Sequence, residues 1–138
     1  MIEQRAVDVA LRSAGMRATL PRRAILEMIQ EGEHHWSAEE VRQNLTERNL
    51  PLPRSSVNNV LGSLASAGLI GRVDTLPGPA RFEAETAQHD HFWCARCRSV
   101  INVQRADVPP VALPGSSERV AITYVGHCNG CPASPPTA

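Results

Sequence analysis

Apolar side chains recur along the first half of the chain at the three- and four-residue intervals of amphipathic helices. Val7, Leu11 and Ala14 form the first stripe, and Gly15 follows as a stop. In MRATLPRRAILEMIQEG, Thr19 is placed to cap a second helix. Pro21 falls in its first turn, where a missing N–H does no harm. Ile25, Leu26 and Ile29 make its apolar stripe, and Gly32 ends it. Ser37 and Glu40 stand in capping-box spacing before Val41 and Leu45, which predicts a third helix. A fourth is predicted over Ser55 to Ala67, with Ser55 or Ser56 as its cap. Val57, Val60, Leu61 and Leu64 form its stripe, and Gly68 closes it. The period then changes: LIGRVD and ARFEA flank a Pro77–Gly78 turn and predict a two-stranded hairpin.

Short helices followed by a hairpin are the element order of a winged helix-turn-helix, and residues 1–85 fill it. A second domain is expected over residues 89–131, joined near residues 84–88. HFWCARCRSVINVQ reads as strand, knuckle and strand, and ERVAITYVGHC as a last strand. ADVPPVALPGSS holds too many prolines for a helix or a central strand, and residues 132–138 read as a flexible tail.

Composition narrows the function. The formal net charge is zero, and all 14 basic residues are arginine. A DNA-binding surface would therefore need a local arginine cluster with the acids placed elsewhere. No apolar run is long enough for a membrane span, and the N-terminus, with Glu3 and Asp8 in a helical pattern, is no signal peptide. A cytoplasmic protein without membrane association is expected.

The 4 cysteines form two pairs, Cys94-x-x-Cys97 and Cys128-x-x-Cys131. Each knuckle points two thiolates at one centre, and two knuckles supply a closed tetrahedral zinc shell. Without an export signal, zinc is favoured over disulfides. A redox C-x-x-C is disfavoured because neither pair opens a helix after a strand. The second domain has few large apolar residues, so zinc would contribute directly to its folding. Arg96 and Arg98 flank the first pair and are expected to help hold the thiolate charge.

In HDHFWCARC, His89 and His91 share one face of a strand, while Cys94 has the opposite parity. The segment therefore straddles two sites. Glu83, His34 and His35 are further ligand candidates for the second, against the alternative of ordinary surface histidines. A hydrolytic zinc enzyme using His89, His91 and Glu83, with Asp90 as base, is the competing reading. The chain carries neither H-E-x-x-H nor a deaminase-type H-x-E with P-C-x-x-C, and an enzyme would leave the N-terminal half unexplained.

Taken in order, AGMRATLPRRAILEMIQ, HHWSAEEV, ASAGLIGRVD with ARFE, HDHFWCARC and YVGHCNGC resemble the ferric uptake regulator superfamily over residues 5–131. The resemblance implies an α+β fold: a winged-helix DNA-binding domain, then a small zinc-clipped α/β dimerisation domain. It implies a homodimeric, metal-dependent repressor acting on double-stranded operator DNA, with no small-molecule substrate. It places structural zinc on Cys94, Cys97, Cys128 and Cys131. It places a regulatory ion on His35, Glu83, His89 and His91, drawn from the helical domain, the hairpin end and the following strand. Such an ion would change which dimer shape is populated. Histidines with a carboxylate suit Fe2+, Mn2+, Ni2+ or Zn2+, and Glu83 in place of a zinc sensor's cysteine favours iron or manganese.

The chain departs from the family pattern in several places. Asn102 stands where peroxide-sensing members carry an aspartate ligand, so it is a weaker candidate ligand and puts peroxide sensing in question. The usual dimerisation helix is shortened or missing, as in the peroxide-responsive PerR/FurA/CatR-type branch linked to catalase control. Asn58 and Asn59 replace the usual Tyr and Arg or Asn of the recognition helix and are the candidate base readers. Ser55 and Ser56 lie in its first turns. Arg17, Arg22, Arg54, Arg72 and Arg81 are candidate phosphate or minor-groove contacts. A further His/Asp/Glu site is not expected, because Gln88 and Val120 stand where histidines would be. The alternative function is a structural zinc-clipped regulator or adaptor that has lost metal or peroxide sensing.

Overall fold

The computed structural model describes residues 2–104, 112–116 and 121–131. The chain divides into two compact units, Met1–Thr86 and Ala87–Ala138. The first begins with four helices: α1 (Ile2–Ser13), α2 (Leu20–Gln30), α3 (Ala38–Glu47) and α4 (Arg54–Ser66). Local chemistry sets their ends. Gly15 and Gly68 take left-handed backbone after α1 and α4, a conformation that costs glycine no Cβ clash. The Thr19 hydroxyl accepts the Arg22 N–H at the start of α2. At α3, Ser37 and Glu40 form a reciprocal capping box.

The start of α4 differs from the sequence expectation. The helix begins at Arg54 with Pro53 as its N-cap, and neither Ser55 nor Ser56 caps it. Pro53 presets extended backbone at the boundary (φ −60°, ψ 152°), so no side-chain cap is needed to stop the preceding segment. Arg54 and Ser55 therefore lie inside the first helical turn.

The hairpin appears as β2 (Gly71–Val73) and β3 (Arg81–Glu83), antiparallel, with Gly78 at φ +88° in the turn. A third strand, β1 (Trp36–Ser37), joins it in the order β1-β3-β2. Two residues that run into a capping box, the second of them its own N-cap, give no periodic signal, so this strand was not legible in the sequence. Phe82, on one face, enters the core formed by Leu11, Ile25, Leu26, Ile29, Val41, Leu45, Val57, Leu61 and Leu64. Arg81 and Glu83 alternate to the opposite face.

The second unit is a three-stranded sheet, β4 (Asp90–Cys94), β5 (Val100–Val103) and β6 (Thr123–Gly126), in the order β5-β4-β6. β5 runs antiparallel to β4, and β6 runs parallel to it. The Asp90 carboxylate is buried and accepts the Ile122 N–H at 3.2 Å, tying β4 to the entry of β6. The tail at 132–138 and most of ADVPPVALPGSS lie outside the described residues.

Candidate metal centre

The second unit gathers its four cysteines at one end of the sheet. Cys94 ends β4, Cys97 follows in the turn to β5, and Cys128 and Cys131 follow β6. Their sulfurs lie within 4.8 Å of one another. Cys94–Cys131, Cys128–Cys131 and Cys97–Cys128 are 3.0, 3.1 and 3.6 Å apart. These are non-bonded separations, and all four cysteines are free thiols. A zinc–sulfur bond of about 2.3 Å gives a tetrahedron with edges of about 3.8 Å. Four sulfurs at nearly that spacing, with no fifth group needed, fit a structural zinc ion. Zinc would supply cross-linking here rather than chemistry, since its shell would be closed.

The fold prepares the cluster electrically. Burial raises the Cys94 thiol pKa, but the N–H groups of Cys97 and Cys128 and the Cys131 thiol outweigh it and hold it at about 5. Both backbone groups donate to its sulfur, at 3.4 and 3.3 Å. Cys131 shows the complement: its hydrogen bonds to Cys94 and then Cys128, together with burial, push it up to about 12. The fold thus favours the thiolate form at Cys94, and zinc binding would displace the protons that remain on the cluster. Backbone amides do the work that the sequence assigned to Arg96 and Arg98. Both of those side chains are exposed, and the Arg96 contribution to Cys94 comes through its peptide N–H.

His89 and His91 lie across the sheet from Cys94, as their parity requires. Their rings are 4.5 Å apart, centroid to centroid. His89 Nδ1 lies 2.7 Å from the Ala87 carbonyl, which can only accept. Nδ1 therefore carries the proton in neutral imidazole, and Nε2 is left as the metal-ligating nitrogen. Asn102 pairs with His91 in the β4–β5 ladder and so shares its face.

The first unit places the other two candidates together. Trp36 pairs with Phe82 and Ser37 with Arg81. One step further along this antiparallel register, His35 faces Glu83, and His35 Nε2 lies 3.5 Å from Glu83 Oε1. Both side chains are buried. Gly71 pairs with Glu83 from the other side, and a Cβ there would sit 3.2 Å from Glu83 Cγ and 2.4 Å from the Glu85 carbonyl oxygen. Glycine at 71 is therefore a condition for the Glu83 backbone and side chain to lie where they do. His34, the other candidate, points to Glu40 at 3.1 Å.

On α4, Val57, Leu61 and Leu64 are buried, while Asn58 and Asn59 are exposed beside exposed Arg54 and Ser55 and half-buried Ser56. The candidate arginines fall into two groups. Arg17, Arg54 and Arg72 are exposed; Arg54 pairs with Glu39 at 3.4 Å and Arg72 with Asp74 at 2.9 Å. Arg22 is half-buried and donates to the Arg17 carbonyl at 3.1 Å. Arg81 is also half-buried, and its guanidinium is turned to the His35 carbonyl and Glu40. Sequence reasoning missed Glu39, which binds Arg42 as well as Arg54 and whose carboxyl is held near 2, chiefly by its hydrogen bond to Arg42. Its signal was an i,i+3 Glu–Arg pair in the third helix.

The order of these elements and both ligand sets can be set beside known proteins. The model of the ferric uptake regulator family matches residues 13–114. The chain belongs to that family. A ferric uptake regulation protein of Shigella flexneri is 38% identical over 96 residues, covering 68% of this chain. The match spans 65% of the Shigella protein's own length, a little under two thirds. The ferric uptake regulation protein of Cupriavidus metallidurans is 33% identical over 135 residues, covering 91% of this chain and 94% of that one. Among solved structures, the ferric uptake regulator of Vibrio cholerae superposes with a TM-score of 0.69 at 28% identity, over 88% of this chain and 98% of that one. The Pseudomonas aeruginosa regulator, solved with manganese, gives the same TM-score and identity over 89% and 98%. The Fur-family α+β fold expected from the sequence is thus confirmed. Among the described residues, no helix is long and apolar enough to cross a membrane.

Proposed function

We propose that the protein is a homodimeric, metal-dependent transcriptional repressor that binds double-stranded operator DNA in the cytoplasm. Its co-repressor is Fe2+ or Mn2+, and its structural ion is zinc on Cys94, Cys97, Cys128 and Cys131. The observation that carries the reading is a second set of ligands apart from the cysteines. His35 and Glu83 meet at 3.5 Å in the first unit, and His89 and His91 are paired in the second with Nε2 of His89 set for a metal. We assign these four side chains to one divalent ion, with Asn102 as a neutral neighbour of His91. Three imidazoles and a carboxylate suit ferrous iron or manganese, with nickel and zinc as competitors. The relatives named for ferric uptake and the Pseudomonas structure with manganese support the first two. Metal-homeostasis genes are the target class these names support. Control of catalase or peroxide genes rests on the abbreviated second domain, and Asn102 in place of an aspartate weighs against peroxide sensing.

In this reading Asn58 and Asn59 read bases, and Arg17, Arg22, Arg54 and Arg72 hold phosphates or the minor groove, while Arg81 faces His35 and Glu40. The deciding experiment is a gel shift on the promoter of the protein's own gene, with and without Mn2+ or Fe2+, for wild type and His89→Ala. Metal should strengthen wild-type binding and leave His89→Ala unchanged, with both proteins dimeric and holding one zinc per chain. An equal metal response in His89→Ala would remove this site from the mechanism. Binding by wild type that ignores metal altogether would favour the regulator or adaptor that has lost sensing. In the same assay, Asn58→Ala should relax sequence preference by about 1–3 kcal/mol. Arg22→Ala should weaken all sequences alike and flatten the salt dependence.

A further inference from the structure

Arg81 behaves unlike a cation waiting for DNA. It sits on β3 two residues before Glu83, so both side chains leave the same face of the strand. Its side chain is 20% exposed, and its Nε is buried without a hydrogen-bond partner among the described residues. Its Nη1 donates to the main-chain carbonyl of His35 at 3.2 Å and lies 3.6 Å from Glu40 Oε1. The same Glu40 oxygen accepts the Ser37 N–H at 2.9 Å, the carboxylate half of the capping box that opens α3. One planar donor thus grips the backbone of a proposed metal ligand and the first turn of a helix. Both contacts are made by the same nitrogen, Nη1, whose direction is set by the rigid guanidinium plane.

The charges are consistent with this arrangement. A lone cation beside a divalent ion would repel it, whereas Arg81 paired with Glu40 contributes placement without net charge. His35 lies between exposed His34 and the two-residue strand β1. We infer that Arg81 is a positioning residue that sets the His35 imidazole against Glu83 and couples that placement to the N-terminal turn of α3. The inference rests on the metal site proposed above. Groups that orient a ligand from behind typically change metal affinity 10- to 100-fold when removed.

The test uses the full-length, zinc-loaded protein, with Mn2+ affinity by calorimetry, the visible spectrum with Co2+ as probe, and the salt dependence of DNA binding at saturating Mn2+. Arg81→Met should raise the Mn2+ Kd about tenfold and shift the Co2+ bands. Zinc content and the salt slope should stay at wild-type values. Arg81→Lys should give an intermediate Kd, and it carries the test if the methionine variant does not fold. A wild-type Kd in whichever of these variants folds would overturn the inference. So would an unchanged Kd with a salt slope reduced by about one, which marks a phosphate contact. His35→Ala, run in parallel, separates the two levels. If it abolishes Mn2+ binding while Arg81→Met does not alter it, only the role of Arg81 falls. If His35→Ala leaves Mn2+ binding intact, the metal assignment itself is wrong, and the inference falls with it.

Discussion

The two units of this chain are held together by different physics. In the first, the clustered buried apolar side chains run from Val7 to Phe82 and supply a continuous core to four helices and a small sheet. In the second, among the described residues, the one buried side chain of apolar class is Cys94, itself one of the four cysteines proposed to hold zinc. Ile101 and Val125, which a larger domain would cover, are 47% and 62% exposed. A three-stranded sheet with so little covered apolar surface is marginal by itself. The helical unit is therefore a conventional hydrophobic fold, and the second, in the reading proposed above, is a metal-clipped sheet whose folding free energy would in large part be zinc affinity. The contrast places the proposed DNA-reading element on the more robust unit, and half of the proposed sensing ligands on the unit that zinc is proposed to clip.

The largest test of that contrast removes the zinc. Cys97→Ser, or a strong chelator, should cost the second unit most of its stability, since structural zinc in small modules is worth on the order of 10 kcal/mol. Amide exchange should show protection lost across β4, β5 and β6 and kept across α2, α3 and α4. A variant with a full complement of zinc and a protected sheet would break the comparison. The converse probe is Leu61→Ala in the helical core. Truncating a fully buried leucine should lower the first unit's stability by about 2–5 kcal/mol, read in urea, without changing zinc stoichiometry.

The smallest effect concerns the capping box. Ser37→Ala should cost about 1 kcal/mol through the unpaired Glu40 amide at the start of α3. Glu40→Gln adds a pH test. Burial raises the Glu40 carboxyl, but the Ser37 N–H, His34 and the Ser37 side chain outweigh it and hold the pKa below the ordinary 4.5. A depressed carboxylate contributes stability that is fully present above 4.5 and lost as pH falls through the lowered value. The gap between wild type and Glu40→Gln should therefore be open at pH 7 and close on acidification below that range. A gap that instead widens at low pH would show that the carboxylate is not the stabilising form.

Much of this was legible in the residues themselves. Thr19, Ser37 with Glu40, Gly15 and Gly68 act within a few positions of themselves, so the ends of α1 to α3 and the close of α4 follow from local chemistry. Helical and strand periods placed Val57, Leu61 and Phe82 inward, and strand parity separated His89 and His91 from Cys94. C-x-x-C spacing announced the four-cysteine cluster because each knuckle is a local backbone bend. The start of α4 escaped this reading because Pro53 ends the preceding segment by its fixed ring and leaves Ser55 and Ser56 no capping to do. What only the tertiary structure decided depends on groups distant in the chain. The β1 strand exists because Trp36 finds Phe82 across 46 residues. The same pairing brings His35 to Glu83 and turns Arg81 from a surface charge into a brace for the His35 backbone. The depressed Cys94 thiol likewise depends on the amide of Cys128, delivered by a parallel strand. Periodicity and spacing report each residue's nearest neighbours; register across a sheet sets which remote ones it meets.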